Sequence, residues 1–504
     1  REGDSFRAER LYGRVGFDTS AGETIYVKVA ISPVSIENAK LNMQAELPGW
    51  DFEATAAAAD RAWNAELQKV RIETSDDAAR RIFYTALYHT MVAPSEFCDV
   101  NGDYRGADGE IYRAAPFVNY TTFSLWDTYR AAQPLMTILH PEKMPDIANT
   151  MLHIYRQQGK LPVWHLMGNE TDCMVGNPGI PAMADIVLKG YGGFDKELAY
   201  EALKKSAMLG ERGMDLRMKY GYIPCDLFNE AVAYDMEYAL ADWAVAQVAK
   251  ELGKTADYDH FLERSKSYRH FFDPQTRFMR GLDSKGRFRT PFNPFRSTHR
   301  ADDYCEGNAW QYTWLVPHDV EGMVELMGGR EAVLRDLTEF FDKTPSDMLW
   351  NDYYNHANEP VHLVPFLFNR LGQPWQTQKW TRHICEKAYA DKVEGIVGNE
   401  DAGQMSAWYV LAAAGLHPAC PGDTRMEITS PVFDRIELRL DPAYAPGGTF
   451  TVVAHGNSPS NVYIQRAVLN GREHTASHLD FADIAAGGTL ELYMGDTPNT
   501  RWGI

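Results

Sequence analysis

The chain has 504 residues, about three times the length of a common domain, so we expect more than one folding unit. Its 50 Lys and Arg residues against 69 Asp and Glu residues give a net charge of -19, which disfavours nucleic acid and anionic membranes as partners. A mean hydropathy of -0.39 and the lack of an apolar run near about 18 residues exclude a membrane span.

The six cysteines lie far apart, with no Cys-x-x-Cys pair and no zinc-type spacing to a histidine. We therefore predict buried thiols rather than a disulfide framework or a zinc site. No signal peptide is visible, because residues 1–4 are polar and charged where an apolar segment would stand.

The first fifty residues carry the pattern of strands. Thr24 to Ser32 is rich in apolar and β-branched side chains, with turn residues on either side. Because two or three strands cannot bury a sheet face alone, residues 1–50 predict the C-terminal part of an N-terminal β-sandwich that this chain leaves incomplete. Residues 51–73 predict a linker helix, since apolar side chains recur with helical spacing from Ala54 to Ile72.

Residues 74–420 show the period of helices, in pairs joined by short Gly and Pro turns. No repeat of fixed length is present, so a closed ring of helical hairpins, an (α/α)6 barrel, is favoured over a solenoid. The predicted helices are 76–91, 126–139, 143–157, 182–188, 195–208, 230–251, 258–272, 306–315, 320–327, 330–341, 362–370, 376–390 and 404–414.

Residues 421–504 return to a strand pattern and predict a C-terminal β region. Its predicted strands are 433–440, 449–454, 461–469 and 489–493, separated by Pro-Gly-Gly and Asn-Gly turns. The fold class is therefore mainly α with flanking β. This order is common among carbohydrate enzymes, but a fold alone does not establish a function.

One polar motif, residues 398–409 (GNEDAGQMSAWY), joins three acceptor side chains to an apolar helical stripe. This pattern predicts that Asn399 to Asp401 lie in the loop entering a helix. Asp401 is then either a helix N-cap or a functional carboxylate. The positive end of a helix keeps a carboxylate ionised, which suits a general base or a calcium ligand.

A second motif, residues 304–314 (YCEGNAWQYTW), sets Glu306 at the start of an aromatic helix. Glu306 is either a first-turn acid that complements the helix dipole or a general acid whose pKa is raised by desolvation. Glycoside hydrolysis needs two carboxylates in different environments, one to protonate the leaving oxygen and one to activate water or attack carbon. Glu306 and Asp401 are the candidates.

A third motif, residues 355–360 (NHANEP), is rich in oxygen donors. Calcium prefers carboxylates and amide carbonyls, which Asn358, Glu359 and Asp401 could supply. A simple turn satisfied by Asn and Pro is the alternative.

Two further stretches, 119–130 (NYTTFSLWDTYR) and 161–171 (LPVWHLMGNET), put a Trp beside an acidic residue. A Trp face with a neighbouring acceptor can pack on a pyranose ring, although a buried structural Trp is the commoner case.

Together these motifs resemble glycoside hydrolase family 92. The resemblance lies in residues 124–128 (SLWDT), 168–171 (GNET), 306–312 (EGNAWQY), 358–360 (NEP) and 398–408 (GNEDAGQMSAW), which are spread over most of the chain. It implies a calcium-dependent exo-α-mannosidase that inverts anomeric configuration, with an N-terminal β-sandwich and an (α/α)6 catalytic domain.

The resemblance also implies roles for single residues. Glu306 would be the general acid and Asp401 the general base, and Asn399 stands where some members carry a second Asp. Calcium would be bound by Asn358, Glu359 and Asp401. The residues implied to bind substrate are Trp126, Asp127, Trp164, Asn169, Glu170, His356, Glu400 and Gln404.

The expected substrate is a mannose-containing oligosaccharide of the N-glycan or mannan type, and the resemblance implies a secreted or periplasmic protein. Residues 354–357 (YNHA) depart from the His-Glu of members that favour α-1,2 linkages, so no linkage preference is implied. The incomplete sandwich predicts a second chain that supplies the rest. Two other functions stay open, a calcium-dependent mannose-binding protein without turnover and another (α/α)6 glycosidase acting on glucosides.

Overall fold

The computed structural model describes residues 9–10, 12–348 and 350–504. The α-helices are α1 Ile36–Glu46, α2 Phe52–Leu67, α3 Asp77–His89, α4 Leu125–Thr128, α5 Ala132–Leu139, α6 Met144–Gln158, α7 Gly179–Leu188, α8 Lys196–Met208, α9 Met214–Tyr220, α10 Ala231–Glu251, α11 Thr255–Arg264, α12 Ala309–Tyr312, α13 Val320–Leu326, α14 Arg330–Asp342, α15 Leu367–Arg370, α16 Pro374–Lys387, α17 Gln404–Ala413 and α18 Phe481–Ala485.

Short 3-10 helices cover Pro141–Lys143, Ser267–His270, Glu359–Val361 and Val364–Phe366. The strands are β1 Val70–Glu73, β2 Ser95–Glu96, β3 Tyr104–Arg105, β4 Ile111–Tyr112, β5 Tyr120–Thr121, β6 Phe123–Ser124, β7 Trp164–Leu166, β8 Asn169–Glu170, β9 Phe272–Asp273, β10 Phe278–Met279, β11 Leu416–Pro418, β12 Arg425–Ile428, β13 Arg435–Arg439, β14 Thr449–His455, β15 Tyr463–Leu469, β16 Arg472–Glu473, β17 His478–Asp480 and β18 Gly488–Gly495.

The helices from α3 to α17 are joined by alternating long and short connections. Long connections follow α3, α6, α9, α11, α14 and α16, whereas α5, α7, α10, α13 and α15 lead into the next helix within a few residues. The first helix of this region, α3, packs on the last, α17, and α10 packs on α7, α8 and α11. This closure agrees with the predicted ring, whose (α/α)6 count stays a prediction.

The C-terminal region forms a six-stranded sheet in the order β1-β13-β14-β18-β15-β16. Its strands pair antiparallel except β14 with β18, which run parallel. The inward side chains Ile436, Phe450 and Leu490 are fully or almost fully buried in the main hydrophobic core. The predicted C-terminal strands are therefore confirmed.

The predicted linker helix extends too far. Helix α2 ends at Leu67, and Val70–Glu73 forms the edge strand β1, which pairs with Arg435–Arg439 of β13. Val70 is buried in the core, whereas α2 has no buried residue along its length. The alternation of Val70 and Ile72 with charged neighbours suits a pleated strand, and the sheet edge supplies its hydrogen-bond partners.

The strand predicted at 24–32 is wrong for the described structure, in which this segment has no regular secondary structure. Val29 is 77% exposed and Ile31 is 84% exposed. A strand needs a neighbouring edge, and no described segment pairs with this one. The assignment of residues 1–50 to a β-sandwich stays a prediction, and residues 1–8 and 11 lie outside the described part.

The expectation of buried thiols agrees with the structure in part. Four of the six cysteines are buried, and Cys98 and Cys173 are half-buried. Among the described residues, every helix is too short or too polar to cross a bilayer.

Candidate active site

Three carboxylates from distant parts of the sequence converge at the long connections. Asp127 lies on α4, Glu359 begins a 3-10 turn in the connection after α14, and Asp401 lies just before α17. Ligand oxygens of the three side chains lie within 4.8 Å of one another. These three residues are far apart in sequence, so the sequence alone did not show that their side chains lie close together.

Burial and mutual repulsion make this cluster hold protons more tightly than free carboxyls do. Burial, followed by the charge of Asp401, raises the pKa of Asp127 to about 8, although the Ser124 hydroxyl donates to it. Burial also raises the pKa of Glu359 well above its ordinary range, and Asp127 and Asp401 add to the effect. For Asp401, burial and then Glu306 raise the pKa.

Glu359 is the most deeply buried carboxylate of the cluster. Its side chain is 0% exposed, and neither carboxylate oxygen accepts a hydrogen bond from the described residues. A buried ionised carboxylate without a partner is costly, so the group must keep a proton or meet a cation. Three clustered carboxylates are hard oxygen donors of the kind that calcium binds. The residues present therefore fit a calcium ion.

Arg130 lies beside the cluster but does not neutralise it. Its guanidinium donates from Nη2 to Glu237 Oε1 at 2.7 Å, and both side chains are buried. Arg130 lowers the pKa of Asp127 and of Glu359, yet burial outweighs it for both groups. The positive charge of Arg130 is already paired with the buried Glu237 carboxylate.

Glu306 lies beside the cluster on an exposed part of the connection after α11. The Asn358 side-chain nitrogen donates to the Glu306 carbonyl oxygen at 2.9 Å and to its carboxylate at 3.3 Å. This leaves the amide oxygen of Asn358 as its remaining donor atom for a cation. The charge of Glu306 raises the pKa of both Asp127 and Asp401, so the four carboxylates share one electrostatic environment.

The predicted helix start at Glu306 is wrong. Helix α12 begins at Ala309, because Asn308 and Gln311 form a reciprocal capping box. Glu306 has a φ of 48° and lies before the cap. It is therefore outside the first turn, and complementing the helix dipole is not its role.

Asp401 is not the N-cap of α17. Asp401, Ala402 and Gly403 all have left-handed backbone, with φ of 51°, 57° and 100°. The neighbouring Glu400 accepts hydrogen bonds from the backbone of Gly403 and Ser406 at 2.5 and 3.2 Å. Burial raises the pKa of Glu400 to about 7. Glu400 thus caps the helix. The Asp401 carboxylate takes no part in capping and is available to the site.

Gln404 and His356 are buried and hydrogen-bonded inside the protein. Gln404 Oε1 accepts from the backbone N–H groups of Ala131 and Ala132 at 3.0 and 3.2 Å. His356 lies between the hydroxyls of Tyr354 and Tyr389, at 2.9 and 2.8 Å. Their predicted contact with substrate stays a prediction, and the structure gives them a supporting role.

The remaining predicted substrate residues differ in their exposure. Trp126 is 0% exposed, so it offers no open face, whereas Trp164 on β7 is partly exposed. Glu170 accepts from the backbone N–H groups of Val163, Trp164 and Asp172, which ties down the β7–β8 hairpin. Asn169 and Asn399 are exposed. Their sugar contacts stay predictions.

Two features escaped the sequence reasoning. Asp127 was expected among the substrate residues alone, yet it also belongs to the carboxylate cluster. Arg130 carried no prediction, although its three-residue spacing from Asp127 puts both on one face of a helical turn.

Comparisons with known proteins bear on the chain as a whole. The family model "Glycosyl hydrolase family 92 catalytic domain" matches residues 38–496. A curated protein of Arthroderma benhamiae, described as an uncharacterized secreted glycosidase, is 26% identical over 526 positions, covering 96% of this chain and 62% of that protein.

Solved structures give the same result. A family 92 α-mannosidase from Bacteroides thetaiotaomicron, in complex with mannoimidazole, is 38% identical with a TM-score of 0.89, covering 94% of this chain and 63% of that one. A family 92 inverting mannosidase from the same organism is 33% identical with a TM-score of 0.85, covering 94% of this chain and 66% of that one. This chain thus spans 62% and 63% of the curated relative and of the first solved one. By its sequence match and its structure, the chain belongs to glycoside hydrolase family 92.

Proposed function

We propose that this chain is the catalytic part of a calcium-dependent, inverting exo-α-mannosidase. It removes terminal α-linked mannose from N-glycan or mannan-type oligosaccharides. The observation that carries the proposal is the buried, unpartnered Glu359 carboxylate clustered with Asp127 and Asp401, next to the exposed Glu306. Similarity to solved α-mannosidases, one of them inverting, supports the choice of sugar and of stereochemistry.

Glu306 is the proposed general acid. It is exposed, so it can reach the oxygen of a leaving group, and the Asn358 amide orients it. It donates its proton to that oxygen as the bond to the mannose carbon breaks.

Asp401 is the proposed general base. It accepts a proton from the water that attacks the opposite face of the mannose carbon, so configuration inverts. An inverting pair leaves room for that water, and we expect the two carboxyl groups to stand about 6.5–9.5 Å apart. Asn399, exposed two residues before Asp401, is expected to assist by hydrogen bonding to the same water.

Calcium would be held by Glu359, Asp401 and Asp127 together with the amide oxygen of Asn358. When bound, it would supply positive charge that keeps these carboxylates ionised and coordination positions for sugar hydroxyls. An ionised Asp401 is the form that a general base requires, and burial alone disfavours that form.

The exposed N-terminal segment belongs to the same proposal. The extended segment 12–32 exposes apolar side chains, among them Val27 at 71% and Ile31 at 84%. We expect the remainder of a β-sandwich, on a second chain or a longer form of this one, to cover this segment and to complete the wall of the site. The secreted glycosidase among the relatives supports a secreted or periplasmic location.

Hydrolysis of 4-nitrophenyl α-mannoside and α-glucoside, each with calcium or with EDTA, tests the proposal. We expect release of nitrophenol from the mannoside alone, with loss in EDTA and recovery after calcium is added. Equal hydrolysis of the glucoside would identify a different glycosidase. Mannose binding without nitrophenol release would identify a lectin. Full activity in EDTA would show that the reaction does not need calcium.

A further inference from the structure

Two buried histidines, His356 and His362, flank Glu359 in the connection after α14. Both side chains are 0% exposed, and their ring centroids stand 4.9 Å apart. A neutral imidazole has one nitrogen that donates a hydrogen bond and one that accepts, so the partners of each ring show which nitrogen carries the proton. The hydrogen bonds of both rings lead to helix α17, which begins just after Asp401.

The partners of Gln404 determine which nitrogen of His362 carries the proton. Gln404 Oε1 accepts the backbone N–H groups of Ala131 and Ala132 at 3.0 and 3.2 Å. Its Nε2 is therefore the atom that lies 3.1 Å from His362 Nδ1, and because an amide nitrogen only donates, Nδ1 accepts and carries no proton. His362 Nε2 then carries the proton and donates to the carbonyl oxygen of His356 at 3.0 Å. Burial also lowers the pKa of His362 to about 3, which keeps the ring neutral.

His356 carries its proton on the same nitrogen. The Tyr389 hydroxyl donates to the carbonyl oxygen of Met405 at 2.6 Å. His356 Nε2 therefore donates to the Tyr389 oxygen at 2.8 Å, and Nδ1 accepts from the Tyr354 hydroxyl at 2.9 Å. The four nitrogens of the two rings are thus all paired, and the first two residues of α17 are both joined to the connection after α14.

These hydrogen bonds join the two segments that carry Asp401 and Glu359. Asp401 lies close before Gln404, the first residue of α17. Glu359 lies close before His362, whose backbone N–H donates to the Glu359 carbonyl at 3.0 Å. The contact between Gln404 and His362 is therefore a short bridge between the backbones beside two clustered carboxylates. A ring with its proton on Nδ1 would set one donor against another and break this bridge.

We propose that His362 is a positioning residue that, through Gln404, holds the Asp401 segment in place against Glu359 and so sets the affinity of the carboxylate cluster for calcium. This inference rests on the proposed function. Loss of a group that orients the ligands of a metal typically lowers metal affinity or activity by about 10–100-fold.

Substitutions at His362 separate its two nitrogens, because asparagine and glutamine each reproduce one of them. The side-chain oxygen of asparagine stands where Nδ1 stands and can accept from Gln404, whereas the side-chain nitrogen of glutamine stands where Nε2 stands and can only donate. His362→Asn therefore keeps the bridge and loses the bond to His356, and His362→Gln does the reverse. The Trp408 indole, which donates to the His362 carbonyl at 2.9 Å, holds the backbone in both variants.

Calorimetry measures calcium affinity, and mass spectrometry in EDTA measures hydrogen exchange in the peptide that contains Ala131 and Ala132. We expect His362→Gln to weaken calcium binding about tenfold. It should also speed exchange in that peptide, since Gln404 is no longer held against the two N–H groups. His362→Asn should change calcium affinity less than about twofold and leave the exchange unchanged.

His318→Asn is the control for the loss of a buried imidazole, because His318 Nε2 also donates to a backbone carbonyl, that of Ser265 at 3.0 Å. It should lower the urea midpoint but not the calcium affinity. Equal weakening of calcium binding by His362→Gln and either His362→Asn or His318→Asn would reduce His362 to general stability and overturn the proposal. Unchanged affinity in His362→Gln would overturn it as well.

Nitrogen NMR of the wild-type protein tests the ring itself, even if His362→Gln does not fold. We expect the proton of His362 on Nε2, and a proton on Nδ1 would overturn the proposal. Wild-type protein that binds no calcium and releases no mannose would instead contradict the proposed function. The exchange measurement, made in EDTA, would then still decide whether His362 holds Gln404 in place.

Discussion

At the scale of single residues, Glu359 and Glu237 are both buried carboxylates, but their partners differ. Glu237 accepts from Arg130 at 2.7 Å and from the Tyr129 hydroxyl at 2.9 Å, whereas neither oxygen of Glu359 has a described donor. A paired buried charge stabilises its surroundings as long as the partner stays, and an unpaired one destabilises them. Matching Glu→Gln substitutions at the two positions should therefore have opposite effects.

In EDTA, Glu359→Gln is expected to raise the free energy of unfolding, because the substitution removes a carboxyl group whose pKa burial raises. Each unit of such a pKa shift corresponds to about 1.4 kcal/mol. Glu237→Gln should instead lower it by about 3–5 kcal/mol, because Arg130 loses its partner. Urea unfolding with and without calcium measures both. Glu359→Gln should also lose the stabilisation by calcium, and a calcium effect equal to that of the wild type would contradict its role as a ligand.

The pH dependence of stability provides a second test at this scale. Burial, followed by Asp401, raises the pKa of Asp127 from its ordinary 3.8 to about 8. Between these values the folded protein keeps a proton that the unfolded chain releases, so stability in EDTA should fall as pH rises from about 4 to about 8. Asp127→Asn should flatten that fall, measured as the urea midpoint at pH 5 and pH 8. An equally steep fall in the variant would assign the effect to other groups.

At the scale of elements, Gln404 connects parts of the chain that carry different site residues. It caps α5 through Ala131 and Ala132, close after Asp127, and its Nε2 donates to His362 at 3.1 Å. His362 in turn contacts the carbonyl of His356 at 3.0 Å, in the connection that carries Glu359. Because α17 begins at Gln404, this residue couples the positions of all three clustered carboxylates.

Gln404→Leu is expected to cost about 1–3 kcal/mol of stability, since it leaves buried N–H groups unpaired. It should also lower kcat for 4-nitrophenyl α-mannoside in the protein that remains folded. Gln378→Leu is the matched control, because buried Gln378 accepts from the backbone of Ile464 in the C-terminal sheet. That variant should lose stability but keep its kcat. Equal losses of kcat in both would reduce the role of Gln404 to general stability.

The elements differ in how well their sequence predicts them. Helix α10 and strand β14 were predicted nearly to the residue, since both patterns are long and periodic. The region 362–370 was predicted as one helix but contains a 3-10 turn and the short α15, because Pro365 interrupts the helical hydrogen bonds. Strand β1 was missed, since its four residues depend on a sheet edge that is more than 350 positions away in sequence.

The residues of the candidate site also differ in how well the sequence predicts them. Its motifs named all of the clustered carboxylates, because polar residues that break an apolar helical pattern stand out in a sequence. Whether Asp401 or Glu400 capped α17 could not be predicted. That outcome depends on three consecutive residues with positive φ, which the tertiary structure imposes.

At the scale of the whole molecule, the extended segment before α1 exposes a row of apolar side chains. Val29 is 77% exposed and Ile31 is 84% exposed, in a stretch that also contains Val27 and Tyr26. Contiguous exposed apolar side chains favour association when their natural partner is missing.

We therefore expect the chain alone to self-associate in light scattering, and Val29→Glu with Ile31→Glu to reduce the associated fraction. Val393→Glu is the control, because Val393 is 98% exposed but lies far from this segment in sequence. It should leave the associated fraction unchanged. A monomeric wild-type chain at the same concentration would contradict the prediction of an uncovered surface.

We propose above that Glu306 and Asp401 act as an inverting acid and base on a terminal α-mannoside. Proton NMR of 4-nitrophenyl α-mannoside, recorded from the first turnovers with calcium present, tests it most directly. We expect β-mannose to accumulate first and then to mutarotate, because water attacks the face opposite the leaving group. Initial formation of α-mannose would contradict it.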